Sequence, residues 1–400
     1  MQNEAGMLKS IQNGPFLLVF AYGLTQGFII QMIGPIFPLF LYDDLNVQVS
    51  QVGVIVSILS IVSLLTKIPL GAWIQPKQYV PAMLIGSATM ALMPFAYSLS
   101  QSIETVILFR VIHGISTAIT VIVNLAVVTS VVGRSETQKA VVYYTTAFSA
   151  GLLLGPLVAS FIVAFLGLRF SLAISSVIAL SAPIICIGFL KYHGLMKDKP
   201  APVRQFAIGR IFKLMRTAGV AVPSIVAFAH SFLLGIMLAY GSLYAKLTFK
   251  LQDSQVSLLF FGLFTLSLLI RLRYNQLLRI WGKTVALAVG LSVAGLSLAF
   301  SGSITIFPLF VAAFVAFGIA HGLMFPTATI LVADSTSFDD RALGSSIFLF
   351  CFDIGQLTGP LAVAATIPFL GIGLSMSISS IVVVLGLLAT FYLKRSSPFL

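Results

Sequence analysis

Gly151-Leu152-Leu153-Leu154-Gly155-Pro156-Leu157 is matched further along the chain by Gly355-Gln356-Leu357-Thr358-Gly359-Pro360-Leu361, at an offset of 204 residues. Both stretches lie inside long apolar runs and share the frame Gly-x-x-x-Gly-Pro-Leu. The same offset carries Ser50-Gln51-Val52 onto Ser254-Gln255-Val256 and Lys67 onto Arg271, while His113-Gly114 meets His321-Gly322 at an offset of 208. Any one match could arise by chance. Four in order, at nearly one offset, indicate a duplicated chain with two related halves.

The medium in which those halves fold follows from composition. Hydrophobic residues make up 58% of the 400 residues and charged residues 8%, against about 25% charged in a soluble domain, so the polar surface needed to face water on all sides is missing. A crossing takes roughly 20 apolar residues. Apolar runs at 16–42, 50–74, 80–99, 103–131, 138–166, 168–191, 219–249, 255–274, 284–301, 304–334, 342–368 and 371–393 therefore read as spans 1 to 12. The predicted fold class is an all-α membrane protein of twelve transmembrane helices in two pseudo-symmetric six-helix bundles. The bundles fall at 1–191 and 219–400, with a basic linker at 192–218. Met1 to Gly14 runs directly into span 1 without a small-residue cleavage site, so no signal peptide is read and the first span is retained.

The net charge of +12 would suggest nucleic acid as a partner in a soluble protein, but its placement points elsewhere. With both termini cytoplasmic, 18 of the 23 Lys and Arg lie on the cytoplasmic side; Arg169, Lys246 and Lys250 lie outside, and Lys67 and Arg110 fall within spans. The opposite orientation would strand nearly all of them outside, against the positive-inside rule. A multi-pass protein of the cell membrane with both termini cytoplasmic is expected, with no nucleic-acid partner. In the linker, Ile208, Ile211, Phe212 and Met215 recur at helical spacing against Arg210, Lys213 and Arg216. This pattern suits either an amphipathic helix on the anionic leaflet or a solvated basic connection. Cys186 and Cys351 lie in apolar spans and read as small core residues, with neither a disulfide nor a metal site implied.

An even number of spans per half makes the halves parallel copies, as in transporters that alternate access around a midplane site. On these residues the chain resembles the major facilitator superfamily over essentially its whole length. Arg110-Val111-Ile112-His113-Gly114 is like the family's R-x-x-x-G signature in span 4. Gly151, Gly155 and Pro156 are similar to the span 5 motif of its drug/proton antiporter-like, multidrug efflux branch. The family's G-x-x-x-D loop after span 2 departs here to Gly71-Ala72-Trp73-Ile74-Gln75, with Gln in place of Asp. The resemblance implies alternating access, a small-molecule solute, protons as coupling ion and a monomer among membrane lipids, with no cofactor. For Gly151, Gly155, Pro156, Gly355, Gly359 and Pro360 close helix packing and a kink is the simpler physical role.

Charged residues inside a span each cost about 2.5–3.5 kcal/mol on insertion scales, so each one calls for a reason. Arg110, His113, Thr117, Thr120 and Asn124 follow at spacings of 3, 4, 3 and 4 and form one polar stripe on span 4. Such a stripe faces either a water-filled cavity or a neighbouring helix. The matching face of span 10, Gly318, His321, Phe325 and Ala328, is mostly apolar. A cavity that is cationic on one side and greasy on the other suits an amphipathic or anionic solute. Tyr22 and Gln26 of span 1, His230 of span 7, His321 and Gln356 complete the candidate substrate-cavity set, and span 1 breaks at Gly34-Pro35 and Pro38. The histidines read as satisfied hydrogen-bonding partners or as proton and substrate groups. Asp353, about eleven residues into span 11, is the deep carboxylate and the candidate for proton coupling, with permanent pairing to a fixed donor as its alternative role. Asp334, Glu104 and Lys67 read as interface residues. No paired carboxylates, metal-spaced cluster or nucleophile–base set appears, so an enzyme is not expected and there are no catalytic residues to name. The functional expectation is a proton-coupled exporter. An importer of a small metabolite, or a transport-dead sensor on the same fold, is the alternative.

Overall fold

The computed structural model describes residues 14–132, 136–192, 208–337 and 340–396. The first half runs through α1 (Gly14–Ile33), α2 (Ile36–Asp43), α3 (Val49–Trp73), α4 (Tyr79–Leu99), α5 (Ile103–Ser130), α6 (Thr137–Ala179) and α7 (Ser181–Phe189). The second runs through α8 (Ile208–Met215), α9 (Ala218–Ile236), α10 (Ser242–Phe249), α11 (Asp253–Leu272), α12 (Tyr274–Ser303), α13 (Phe307–Asp334), α14 (Arg341–Ser379) and α15 (Val383–Ser396). A π-helical turn at Met237–Gly241 joins α9 to α10. Span 1 breaks at Gly34-Pro35, as expected. Pro38, by contrast, lies in the first turn of α2, where its missing N–H removes no helical bond.

Among the described residues ten helical stretches are long and apolar enough to cross a membrane. Two of them, Lys139–Tyr192 and Leu343–Tyr392, have 54 and 50 residues, more than twice the roughly 20 that one crossing needs. Each reverses at a glycine with positive φ, Gly167 (φ 81, ψ 177) and Gly371 (φ 71, ψ 170). An L side chain rarely adopts that backbone conformation. The two glycines are themselves 204 residues apart, so the chain turns at equivalent places in its two copies. Counting each long stretch twice gives the twelve spans of the sequence reading.

Just past Gly167, Arg169 Nη1 donates to the carbonyls of Ser98 (2.9 Å) and Ser100 (2.8 Å). This is a cation placed on the carbonyl end of α4, where the helix dipole favours positive charge.

The quoted glycine frames pack helices backbone to backbone. A Cβ on Gly151 would meet the Leu24 carbonyl oxygen and Phe28 N; on Gly155, the Phe28 carbonyl oxygen and Met32 N. From the other side, Gly23 and Gly27 of α1 lie against the carbonyls of Tyr144 and Phe148. The second half repeats the device: Gly355 and Gly359 of α14 lie against the carbonyls of Phe228 and Phe232 in α9. Small residues let membrane helices approach this closely and so gain dispersion contact that lipid cannot supply.

The chain forms two compact units, one comprising Met1–Ile36 and Ile61–Arg204, the other Phe37–Ser60 and Gln205–Leu400. The core of the first gathers Phe16, Tyr22, Val80, Met83, Val127 and Phe189. In the second, the start of α3 is tied in by Tyr240 of the π-helical turn. The Tyr240 hydroxyl accepts from Gly53 N (3.0 Å) and donates to the Ser50 carbonyl (3.4 Å), while Ser57 Oγ donates to the Leu357 carbonyl (3.2 Å).

Three ion-paired groups mark the ends of the second unit. Lys246 bridges Asp43 and Asp253, the latter at 2.6 Å. Lys283 pairs with Asp334 (2.7 Å), and Arg210 with Asp340 (2.5 Å). Arg210 holds the Asp340 carboxyl below the usual carboxylate range, so this pair stays charged at neutral pH. Of the linker's basic residues, Lys197, Lys199 and Arg204 lie outside the described residues. Its helical part is α8, which buries Leu214 against Val220 and Ile347 and leaves Phe212 and Met215 exposed beside Lys213 and Arg216.

Candidate functional site

The candidate residues gather into two clusters within the first unit and one within the second. In the first unit Tyr22 is fully buried and its hydroxyl donates to Asn124 Oδ1 at 2.8 Å, with Ser87 Oγ 3.1 Å away. Asn124 Nδ2 reaches the Tyr144 hydroxyl at 3.5 Å, and Ser87 lies 3.6 Å from Cys186 Sγ. Spans 1, 3, 4, 5 and 6 each contribute to this network, which satisfies polar groups that would otherwise be costly to bury. Cys186 is buried, as expected, whereas Cys351 is only half-buried.

The upper part of the span 4 stripe forms the other cluster. The Arg110 guanidinium lies 5.5 Å from the centre of the Tyr97 ring, within cation–π range. The Tyr97 hydroxyl is 3.0 Å from His113 Nδ1. Arg110 and His113 are both buried. Between the clusters, Thr117 Oγ1 donates to the His113 carbonyl (2.8 Å) and Thr120 Oγ1 to the carbonyls of Ser116 (3.1 Å) and Thr117 (3.0 Å). These hydroxyls thus bond back to their own helix. Gln26 is buried on α1 between Gly23 and Gly27.

In the second unit His230 Nε2 and His321 Nδ1 are 3.4 Å apart, and both rings are buried. Phe317 stacks on His230 with ring centres 5.7 Å apart, and Phe264 meets His321 edge-on at 5.6 Å. Gly318 and Gly322 bring α13 onto the backbone of α11 at Leu263 and Ser267, and Arg271, further along α11, is a cation whose charge acts on both rings. Apolar side chains of Val226, Ala227, Met324, Phe325 and Phe348 pack closely about His230 and leave no space for a water molecule. Asp353 and Gln356 are half-buried on α14, one turn apart, and the Gln356 carbonyl packs against Gly235 of α9.

Sequence reasoning missed Tyr97, which joins Arg110 to His113, and the part played by Arg271. Arg271 was counted with the cytoplasmic charges. Its alignment with Lys67 flagged a repeated cation in the two halves, and that was the available signal. Among the described residues no group of three or more His, Cys, Asp or Glu could hold a metal ion.

Twelve apolar spans in two copies, with polar groups collected inside the helix bundles, define a membrane transporter fold. The chain matches the model of the Major Facilitator Superfamily over residues 18–304 and 247–399, and it belongs to that family. It is a transporter rather than an enzyme. Multidrug resistance protein 2 of Bacillus subtilis (strain 168) is 26% identical over 187 residues. That match spans 46% of each chain, so it covers about half the length of this relative.

Among solved structures, the nucleoside transporter NupG superposes with a TM-score of 0.71 at 14% identity over 96% of this chain and 98% of that chain. A bacterial homologue of the human lysosomal transporter Spinster, inward-facing and unoccupied, gives 0.73 at 13% identity over 96% of each. The human organic anion transporter MFSD10 (TETRAN) gives 0.68 at 18% identity over 94% of this chain and 99% of that one. At these identities the likeness is one of fold.

Proposed function

We propose that this protein is a proton-driven exporter of a small amphipathic or anionic solute, working as a monomer by alternating access between bundles at 1–191 and 219–400. The observation that carries the coupling is Asp353, a half-buried carboxylate well inside α14. It lies two residues from Gly355, where α14 packs on α9. A carboxylate whose surroundings change between the two facing states changes its proton affinity with them, taking up a proton on one side and releasing it on the other. Export, rather than import, draws support from the partial match to a multidrug resistance protein. The amphipathic or anionic solute class draws support from Arg110, a cation buried on span 4, and from the apolar side chains packed about His230.

The test compares Asp353→Asn with the unaltered protein in cells and in vesicles, after an accumulation screen of toxic compounds and metabolites has identified a transported probe. Gradient-driven accumulation is expected to be lost while solute exchange without a gradient survives. Full gradient-driven activity in Asp353→Asn would remove Asp353 from the mechanism.

The orientation, with both termini cytoplasmic, rests on the distribution of basic residues. Two groupings within the second unit fit the alternation of sides that this reading requires. Lys246 joins the ends of spans 1 and 7 to the start of span 8, all expected outside. Arg210, Asp340, Lys283 and Asp334 are all expected inside. A single cysteine at Asp44 is expected to react with an impermeant thiol reagent in intact cells, and one at Lys199 is not. Labelling at Lys199 would reverse the topology.

A further inference from the structure

We propose that His230 and His321 form a two-residue proton relay through the second bundle, carrying one proton per passage between His230 Nδ1 and His321 Nε2. The proposal rests on the proton-coupled reading above and specifies a route for the proton. A neutral imidazole bears its proton on one nitrogen and a lone pair on the other. Since His230 Nε2 and His321 Nδ1 are 3.4 Å apart, one of them holds the shared proton. If it is His230 Nε2, then His230 Nδ1 is bare and His321 carries its own proton on Nε2. If it is His321 Nδ1, the outer nitrogens exchange roles.

Those outer nitrogens, His230 Nδ1 and His321 Nε2, are shielded from solvent and have no hydrogen-bond partner among the described residues. Either tautomer therefore leaves one buried N–H and one buried lone pair unmatched. A purely structural pair has no reason to keep that arrangement, since unmatched buried polar groups are destabilising. The same arrangement is what a relay needs. A proton added to bare His230 Nδ1, transfer of the Nε2 proton to His321 Nδ1, and loss of the proton from His321 Nε2 leave both rings neutral. Charge and atoms balance, and the pair has switched tautomer. It must then be reset by ring rotation or by reverse passage, which limits it to one proton per cycle.

The surroundings suit passage rather than storage. Phe317 and Phe264 close on the rings from α13 and α11, and the positive charge of Arg271 on α11 acts on both. A resident imidazolium would face that cation through a medium that screens poorly. From α14, Phe348 and Phe352 pack near His230, and Asp353 follows Phe352 in sequence, which places the proposed coupling carboxylate next along the chain.

The decisive variants keep the mutual hydrogen bond and remove the relay. Gln at 230 places an amide near the Nε2 position, and Asn at 321 places one near Nδ1; neither amide passes a proton readily. In vesicles holding a pH-sensitive dye, the probe is whichever compound of a panel of amphipathic dyes and organic anions the unaltered protein moves in response to a pH gradient. His230→Gln and His321→Asn are each expected to lower the number of protons moved per molecule of probe by about a hundredfold, the scale of lost proton-transfer catalysis. If the unaltered protein moves no proton with any probe, the coupling reading itself fails and the relay with it. If it does and either variant retains coupling, the relay alone is overturned.

A second measurement needs neither solute nor variant activity. Nitrogen-15 spectra of histidine-labelled protein in lipid are expected to show both rings neutral and in the same tautomer. Opposite tautomers, or an imidazolium at rest, would exclude the shared proton.

Discussion

Valine at Gly155 or at Gly359 is expected to leave little folded protein in the membrane. The atoms that a side chain would meet at Gly155 are the Phe28 carbonyl oxygen, Met32 N at 2.7 Å and Gln31 C at 3.0 Å. At Gly359 they are the Phe232 carbonyl group and Ile236 Cγ1, the last at 3.2 Å. Most of these are backbone atoms of a neighbouring helix, which cannot turn aside as a flexible side chain can. The two helices would have to separate, and because helices are stiff the loss of contact would extend over several turns. Overpacking in a close-packed interior costs about 1–3 kcal/mol and at times more. Each substitution should therefore sharply lower the yield of monodisperse protein and its unfolding temperature. Gly209→Ala in α8, where nothing lies within 4 Å of the added carbon, serves as the control and should change neither. Normal yield and stability for Gly155→Val would show that α1 and α6 do not depend on this close approach.

Arg110→Ala is expected to abolish transport while leaving the amount of protein in the membrane near normal. Arg110 is buried and rests on Tyr97, whose hydroxyl in turn reaches His113. A cation–π contact contributes about 0.5–2 kcal/mol, which is small beside the packing of a six-helix bundle, so its loss alone should not unfold the protein. If Arg110 receives the charged part of the solute, removal of the guanidinium removes the partner for which the site is built. Arg110→Lys keeps the charge without the flat, five-donor fork and is expected to recover only part of the rate. Tyr97→Phe keeps the ring beneath Arg110 and removes the hydroxyl that meets His113, so a milder loss is expected there. Normal transport by Arg110→Ala would show that the residue has no essential role. Disappearance of the variant from the membrane would instead identify it as a packing residue of the first bundle.

The sequence by itself determined the medium, the number of crossings and the duplication. An excess of apolar over charged residues leaves no soluble alternative, and the Gly-x-x-x-Gly-Pro frames at residues 151 and 355 repeat with the chain around them. The structure then shows why those glycines stand where they do, and adds Gly167 and Gly371 as equivalent turning points. Helical periodicity also placed Arg110, His113, Thr117, Thr120 and Asn124 on one face of one helix. It could not say which neighbour that face meets, because spacing along a helix leaves the rotation of the helix against its neighbours open. Only the tertiary structure decided that Asn124 is held by Tyr22, that Thr117 and Thr120 bond to their own backbone, and that Arg110 lies on Tyr97. The meeting of His230 with His321, 91 residues apart, and the grouping of Phe37–Ser60 with the second half are likewise products of packing. Such contacts depend on close approach at glycines such as Gly318 and Gly322. A glycine in the sequence allows two helices to touch, but the partner helix is selected by the fit of whole surfaces.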